Sequence, residues 1–318
     1  MAEILIKKYK NCNKFCMNIP FYNNSIAISE KDIFRYAALV GDFSSHNITI
    51  NGELFYYSMI NMALLEKNGY YTIGSDYKNA EQSIRNSISF FMGMFAAEIV
   101  AEKIYKIPNL YHLTDQVITF TSTGKHPDFF GINNKNRGIL IEAKGTVATR
   151  PTNSTVSGAK KQLRAIKSVV VEVNGGKQSF NYNDMKRYVV ASSFDLNDRL
   201  TYHCIDPEPE GEQEIGIDLD KATALYYQNI MNIILHRPYR NYGTYIISDT
   251  WPYKIGLDRE IYNRLSEYEK LYTGINRDIV DKFSYNGVYN FVSERISRIE
   301  IPNSNVEVST GLNGVICL

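Results

Sequence analysis

Two short apolar runs joined by a polar turn make up residues 127–144, PDFFGINNKNRGILIEAK. Aromatic and branched side chains on both sides of an Asn-rich turn are typical of a β-hairpin. A hairpin symmetric about Lys135 places Asp128 directly opposite Glu142. Because Lys144 follows Glu142 by two residues on one strand, their side chains share a face. The stretch therefore predicts a sheet in which two acids and a lysine converge.

Two carboxylates about 5 Å apart repel each other, so the arrangement needs a cation between them or a shifted register. A Mg²⁺ or Mn²⁺ ion held by Asp128 and Glu142 reverses the local charge, lowers the pKa of a bound water and neutralises charge on a phosphodiester. The Lys144 ammonium can orient the attacking water or stabilise the pentavalent transition state. The residues predict metal-assisted phosphodiester hydrolysis. The alternative is a surface hairpin on which Lys144 merely pairs with Glu142.

The elements around the hairpin predict an α/β fold. Apolar spacing indicates helices, and short β-branched runs indicate strands, in the order α, β, β, β, α, β, β. The predicted elements are a helix at Asn79–Lys106, strands at Val117–Thr121, Asp128–Ile132 and Gly138–Lys144, a helix at Thr155–Val171, and strands at Arg187–Ser193 and Leu200–Ile205.

Helical patterns dominate both ends of the chain. Before the core the sequence predicts a helix at Asp32–Val40, a turn at Asn51-Gly52 and an apolar run at Leu54–Leu65; after it, helices at Lys221–Leu235, Arg259–Tyr272 and Ile279–Ile296 and a strand at Thr244–Ile247. We expect three sections: an α-rich section packing on the core (1–78), the core (79–206), and an acidic loop with a helical C-terminal section (207–318).

Pro127-Asp128 and Glu142-Ala143-Lys144 resemble the motif of the PD-(D/E)XK nuclease superfamily. The resemblance covers about residues 79–206. It implies a restriction-endonuclease-like core, α-β-β-β-α-β, with a mixed sheet flanked by helices and with helical N- and C-terminal additions. It also implies that the main-chain carbonyl of Ala143 is a metal ligand beside Asp128 and Glu142.

Members of this superfamily often draw a further acid from the first core helix and place a Gln or a base on the helix after the motif. The acid is carried over to Glu98, which follows Gly93 on the predicted helix, with Glu102 as the competing choice. The second helix lies in a basic stretch between Lys135 and Ser168, where Glu142 is the sole acid. Its candidates for nucleic-acid binding are Lys160, Lys161, Gln162 and Arg164.

Two further segments stand out by composition. Residues 206–220 are strongly acidic, and we expect this tract to lie in solvent. Residues 236–245 interleave tyrosines with His236, Arg237 and Arg240, which suits stacking on bases.

The resemblance implies a Mg²⁺-dependent DNA endonuclease acting in restriction or antiviral defence against phage. Cutting both strands would ask for two active sites, as in a homodimer. Two alternatives stay open: a catalytically silent nucleic-acid-binding or scaffold subunit, and a nuclease held inactive by a partner ATPase or helicase. The intact pair of acids and the lysine disfavour the first of these alternatives.

Composition sets the outer bounds. With 318 residues, 44% apolar and 22% charged, the chain has material for a core, which excludes disordered and collagen-like classes. The most apolar stretch, residues 88–101, contains Glu98 and is too short for a bilayer. Met1-Ala2-Glu3 and the lysines that follow lack the pattern of an export signal. We therefore expect a cytoplasmic location and no membrane partner.

Overall fold

The computed structural model describes residues 1–40, 50–114, 116–121, 126–207, 211–235, 237–249, 253–268, 287–299 and 308–318. They form two compact units, each built from separate stretches of chain. The first comprises 1–28, 59–171 and 179–217; the second comprises 29–58, 172–178 and 218–318. Mixed sheets flanked by helices run through the structure, so the predicted α/β class is confirmed.

The described strands, in chain order, are β1 (Ala2–Tyr9), β2 (Tyr22–Ile28), β3 (Leu64–Lys67), β4 (Tyr70–Ile73), β5 (Leu110–His112), β6 (Ile118–Thr121), β7 (Phe129–Ile132), β8 (Gly138–Gly145), β9 (Ile166–Val173), β10 (Gly176–Phe180), β11 (Met185–Phe194), β12 (Leu200–Ile205), β13 (Gln213–Asp218), β14 (Tyr239–Tyr242), β15 (Tyr245–Asp249), β16 (Lys254–Asp258), β17 (Ser309–Thr310) and β18 (Val315–Cys317).

The described helices are α1 (Cys12–Cys16), α2 (Glu30–Val40), α3 (Ile50–Ala63), α4 (Ser75–Asn79), α5 (Gln82–Ile99), α6 (Asn153–Ala165), α7 (Leu219–Tyr226), α8 (Gln228–Leu235), α9 (Arg259–Ser266) and α10 (Val288–Arg298). A π-helical segment, Val100–Ile104, continues α5, and a short 3₁₀ helix spans Tyr182–Asp184. None of the described helices combines the length and the apolar content that a transmembrane span requires.

The main sheet of the first unit has the strand order β3-β4-β1-β12-β11-β8-β7-β5, with β2 added on β1. Strand β8 lies parallel to β11 and antiparallel to β7, while β12 lies antiparallel to β11 and parallel to β1. Every residue of β12 is buried, as is nearly every residue of β11. The strands around β8 therefore form the core of this unit, with little freedom to shift.

Helices α5 and α6 cover opposite faces of β8. Residues of a strand alternate between two faces. A methyl group on Gly145 would lie 1.8 Å from the main-chain oxygen of Ser89 in α5, so α5 packs tightly on that face. Glu142 points to the other face, where it meets Gln162 of α6. At β8 the sheet is thus enclosed between two helices.

The second unit is built on an antiparallel sheet with the order β14-β15-β16-β18-β17. Tyr245, Ile247 and Ile316 form a buried apolar cluster on this sheet. Asp258 ends β16, caps α9 and is fully buried, and its carboxylate binds Arg295 of α10 at 2.8 Å. The C-terminal section, predicted to be helical, therefore contains a sheet as well as helices.

Most of the predicted elements appear with small shifts in their ends. The predicted helix at Asp32–Val40 is α2, and the one at Asn79–Lys106 is α5 with its π-helical continuation. The chain leaves this helix at Lys106, whose φ is +58°. The predicted strands at Asp128–Ile132, Gly138–Lys144, Arg187–Ser193, Leu200–Ile205 and Thr244–Ile247 correspond to β7, β8, β11, β12 and β15.

The predicted helix at Thr155–Val171 is too long. Helix α6 ends at Ala165, and β9 begins at Ile166. Apolar residues at 163, 166 and 170 fit a helical period, but the run Val169–Val171 is β-branched and fits a buried strand better. The sheet neighbours of β9 decide in favour of the strand.

The predicted core strand at Val117–Thr121 belongs to a different sheet. Its residues form β6, which pairs with β13 in a four-stranded sheet of order β10-β9-β13-β6. The place beside β7 is taken by β5, which sequence reasoning missed. Strand β5 has only three residues, too few for a periodic signal.

The acidic tract at 206–220 was predicted to lie in solvent, and this is wrong for its described second half. Residues 213–218 form β13, in which Ile215, Gly216 and Ile217 are buried. Glu214 accepts a hydrogen bond from Ser168 at 2.7 Å, and Glu212 pairs with Lys167 at 2.6 Å. Two acids of this tract, Glu212 and Glu214, thus lie beside the basic stretch.

The turn predicted at Asn51-Gly52 is also wrong, because α3 begins at Ile50 and continues through both residues. The predicted helix at Lys221–Leu235 is two helices, α7 and α8, which meet at Tyr227.

The predicted sections 1–78, 79–206 and 207–318 do not coincide with the compact units. Strand β1 lies inside the main sheet, between β4 and β12. Parts of three predictions lie outside the described residues. They are His236, the end of the helix at Arg259–Tyr272 and the start of the helix at Ile279–Ile296.

Candidate active site

The hairpin formed by β7 and β8 has the predicted register. Phe129 pairs with Ile141 and Phe130 with Leu140. One step further along the same register, Asp128 faces Glu142. The register is not shifted, and the two acids stand opposite each other. The predicted register of this hairpin is therefore confirmed.

Hydrogen bonds fix both carboxylates at the open end of the hairpin. The main-chain amide of Asp128 donates to Glu142 Oε2 at 3.2 Å, and the amide of Ala143 donates to Asp128 Oδ2 at 2.7 Å. The carbonyl of Asp128 accepts from Leu113 at 2.9 Å. Because charge-assisted bonds to main-chain amides are strong, the two side chains are held in place by the strands themselves.

Lys144 supplies the cation that the opposed acids require. Its Nζ lies 2.5 Å from Glu142 Oε1, and its side chain is 32% exposed whereas that of Glu142 is 1% exposed. A buried acid whose paired lysine is partly open to solvent is not an ordinary surface pair. The alternative of charges decorating a surface hairpin does not hold for Glu142.

Burial, together with the negative charge of Asp128, raises the pKa of Glu142 from its usual 4.5 to about 7. Lys144 and the Asp128 amide act in the opposite direction, since both favour the charged carboxylate. Near neutral pH the Glu142 carboxyl therefore exchanges a proton readily. A group that moves a proton at neutral pH needs a pKa near 7, whereas a metal ligand needs to be ionised.

Gln162 of α6 lies against the Glu142 carboxylate. With the amide oriented so that both groups are satisfied, its nitrogen donates to Glu142 Oε1 and, at 3.3 Å, to Oε2. The sequence predicted that Gln162 would face nucleic acid. The structure brings Gln162 to Glu142, where its amide competes with any other ligand for the same oxygens, and its role toward nucleic acid stays a prediction.

Helix α6 is positioned by a cap and by an apolar stripe. The Thr152 hydroxyl accepts a hydrogen bond of 3.2 Å from the main-chain amide of Thr155. This amide lies in the first turn of the helix and has no acceptor within the helix itself. Val156, Ala159 and Leu163 are buried against the sheet. Gln162, next to Leu163, is thereby turned toward β8; the buried stripe would have predicted this placement.

The basic candidates on α6 differ in their exposure. Lys161 is exposed, and Lys160 and Arg164 are half-buried. Lys160 and Lys161 take part in none of the ion pairs formed within the described ranges. Their role toward nucleic acid stays a prediction.

Glu98 and Glu102 are both buried, at 3% and 4% exposure, on a helix that packs against the face of β8 opposite Glu142. Glu102 lies 3.7 Å from Lys103. Where the chain is described, no group of three Asp, Glu, His or Cys side chains is arranged to bind a metal. Glu98 as a further metal ligand stays a prediction.

The oxygen donors present suit a hard divalent cation. Mg²⁺ is commonly held by one or two carboxylates, with water and substrate phosphate completing its six ligands. Asp128 and Glu142 supply two carboxylates, and the carbonyl of Ala143, the residue after Glu142, is a third oxygen. The set fits Mg²⁺ or Mn²⁺ and contains none of the sulfur ligands that softer metals prefer.

Comparisons with known proteins add no relative: no family model, no curated protein and no solved structure matches the chain.

Proposed function

We propose that this protein is a metal-dependent nuclease that hydrolyses phosphodiester bonds in DNA, and that its active site consists of Asp128, Glu142 and Lys144. The observation that carries the proposal is the convergence of these three side chains at one end of a hairpin, with Lys144 Nζ 2.5 Å from the buried Glu142 carboxylate. Two acids and an amine at this spacing are suited to binding a divalent ion beside a phosphate.

The fold supports a restriction-endonuclease-like core. The elements α5, β5, β7, β8, α6 and β11 give the order α-β-β-β-α-β. Strands β5, β7 and β8 form an antiparallel meander, and β11 follows parallel to β8. In this reading β6 and the hairpin β9–β10 are insertions, and β12, β1 and β4 extend the sheet.

Each side chain has a distinct task. Asp128, Glu142 and the Ala143 carbonyl would hold the ion, which supplies Lewis acidity and lowers the pKa of a bound water. Glu142 must be ionised to bind, which its pKa of about 7 allows at neutral pH. Lys144, partly open to solvent, would orient the attacking water or stabilise the charge that grows on the phosphate.

The basic side of α6 would face the nucleic-acid backbone. Lys161 is exposed and Lys160 and Arg164 are half-buried, on the helix that also carries Gln162 to the acid pair. Cations beside the site would retain the phosphate chain by releasing its counterions. This arrangement favours a nuclease over a catalytically silent subunit, which needs no intact pair of acids.

The test is plasmid cleavage by the purified protein with Mg²⁺, with Mn²⁺ and with a chelator. We expect metal-dependent nicking or degradation that Glu142→Ala and Lys144→Ala abolish. Lys186→Ala, at an exposed lysine of β11, is the matched control and should cleave like wild type. Equal cleavage by the Glu142 and Lys144 variants, with folding unchanged in circular dichroism, would refute the assignment.

A further inference from the structure

A second cation faces the same side of the main sheet without a counter-charge. Arg150 lies in the segment between β8 and α6, and its guanidinium stacks on the ring of Phe15 at 4.1 Å. Its Nε and Nη2 atoms are buried and have no hydrogen-bond partner. Within the described part of the chain, no acid forms an ion pair with it.

The side chains around Arg150 do not offset its charge. His203 is fully buried, and burial, reinforced by Lys7 and Arg150, lowers its pKa to about 3, so the imidazole is neutral. Its ring nitrogens bond Ser193 at 2.9 Å and Tyr9 at 3.4 Å. Burial raises the pKa of Tyr9 to about 12, so this hydroxyl is neutral as well. The local environment is positive.

The strand register places this cluster near the proposed active site. Lys144 of β8 pairs with Ala191 of β11, and Ala191 pairs with His203 of β12. Residues in register on neighbouring strands project to the same face. Two strand spacings separate Lys144 from His203, a distance of about 10 Å. A separation of this size is within the reach of a few nucleotides of one strand.

Two buried guanidinium nitrogens without hydrogen bonds are costly, and such atoms in native proteins have a structural or functional reason. Arginine presents several donors in a planar fork that matches phosphate oxygens, and the ring of Phe15 fixes the plane of that fork. A phosphate beside the accessible part of this guanidinium would supply the missing negative charge.

We propose that Arg150 binds a backbone phosphate of the nucleic-acid strand, a few nucleotides from the bond cut beside Lys144. This inference rests on the proposed nuclease function and adds a substrate-binding residue to it. Arg150 is then a binding residue that sets affinity and register, while Asp128, Glu142 and Lys144 carry the chemistry.

The experiment measures binding of a labelled oligodeoxynucleotide, single-stranded and duplex, in chelator, so that no metal-dependent cleavage occurs. Arg150→Gln removes the charge and the fork, Arg150→Lys keeps the charge, and Arg137→Gln at the exposed hairpin turn is the control. We expect Arg150→Gln to weaken binding on the order of tenfold and to reduce the salt slope by about 0.7 to 0.9. Arg150→Lys should keep the slope and lose part of the affinity, and the control should match wild type.

The outcomes separate this inference from the nuclease proposal. If wild type cleaves DNA but Arg150→Gln and Arg150→Lys bind with wild-type affinity and salt slope, Arg150 is only a structural residue on Phe15, and the nuclease proposal stands. If wild type neither cleaves nor binds nucleic acid, both proposals fall together. Should Arg150→Gln not fold, Arg150→Lys decides: unchanged affinity overturns the inference, because a lysine cannot reproduce the fork.

Discussion

The main-chain amide of Asp128 donates a hydrogen bond of 3.2 Å to the Glu142 carboxylate. The Asp128 carboxylate in turn accepts a hydrogen bond of 2.7 Å from the main-chain amide of Ala143, the residue after Glu142. The two acids are therefore held by the backbone of the opposite strand. An acid pair positioned in this way stays together when one charge is removed, so charge and geometry can be altered separately by mutation.

Asp128→Asn keeps an acceptor for the Ala143 amide and loses the charge. We expect it to fold with a stability within about 1 kcal/mol of wild type and to lose metal-dependent cleavage. Asp128→Ala leaves that amide without an acceptor and should lower the free energy of unfolding by about 1–3 kcal/mol more than the Asn variant. Urea unfolding compares the two; equal stabilities would show that the bond to Ala143 contributes nothing.

Stability should depend on pH through Glu142. Its pKa is raised from 4.5 to about 7 in the folded protein, mainly by burial. The favourable contribution of the protonated acid is thus fully present below pH 4.5 and is lost as pH rises through 7. Glu142→Gln, which stays neutral, should gain in melting temperature relative to wild type as pH rises from 5 to 8. A difference that is constant over this range contradicts the assignment.

Metal binding should follow the same titration. Because the proton competes with the ion for Glu142, Mn²⁺ affinity should rise by up to about tenfold per pH unit between pH 5 and 7 and then level off. Gln162→Glu places another carboxylate against Glu142, which should raise its pKa and move the midpoint to higher pH. Paramagnetic resonance of free Mn²⁺ measures this, with Lys161→Gln as the control, whose midpoint should match wild type.

Two helical glycines offer a paired test of how α5 supports β8. A methyl group on Gly93 would lie 2.6 Å from the main-chain carbonyl carbon of Lys144, which cannot move aside as a side chain could, whereas one on Gly158 of α6 meets nothing within 4 Å. Gly93→Ala should destabilise the protein by about 1–3 kcal/mol. Gly158→Ala should stabilise it by about 0.5–1 kcal/mol. Melting curves showing the same sign for both would argue against the close contact of α5 with β8.

Charge reversal on α6 tests the nucleic-acid contact independently of Arg150. Lys161 is exposed and outside the acid pair. Lys161→Glu should weaken DNA binding and flatten its dependence on salt by about one to two units of slope. Lys186→Glu at an exposed position of β11 is the matched control. Wild-type affinity of Lys161→Glu at low salt would remove this residue from the interface.

The sequence was sufficient for the candidate site because the hairpin is a local structure. The turn around Lys135 and the apolar runs beside it determine which residues face each other, and the register observed at Phe129 and Ile141 follows from them. The family resemblance pointed to Gln162 but not to its contact with Glu142, since that contact joins a helix to a strand twenty residues earlier. From the sequence, Arg150 was only one of many basic residues in the stretch between Lys135 and Ser168.

Pairing over long distances could not be read from local pattern. Strand β1 pairs with β12, which begins almost two hundred residues later. The sequence of residues 2–9 does not indicate which strand it pairs with. The end of α6 was missed for a related reason. Apolar residues such as Ile166 continue the helical spacing, but they can be buried equally well in a strand. In both cases tertiary contacts outweigh local preference.

The pairing of Leu5 with Thr201 also constrains how the chain can be made. During synthesis β1 cannot pair with β12 until residues 200–205 have left the ribosome. We therefore expect this sheet to fold slowly. A shortened chain that stops before residue 200 would leave β1 and β11 with unpaired edges in what should be the interior. We expect such a fragment to aggregate, whereas gentle proteolysis of the intact protein should leave the sheet assembled.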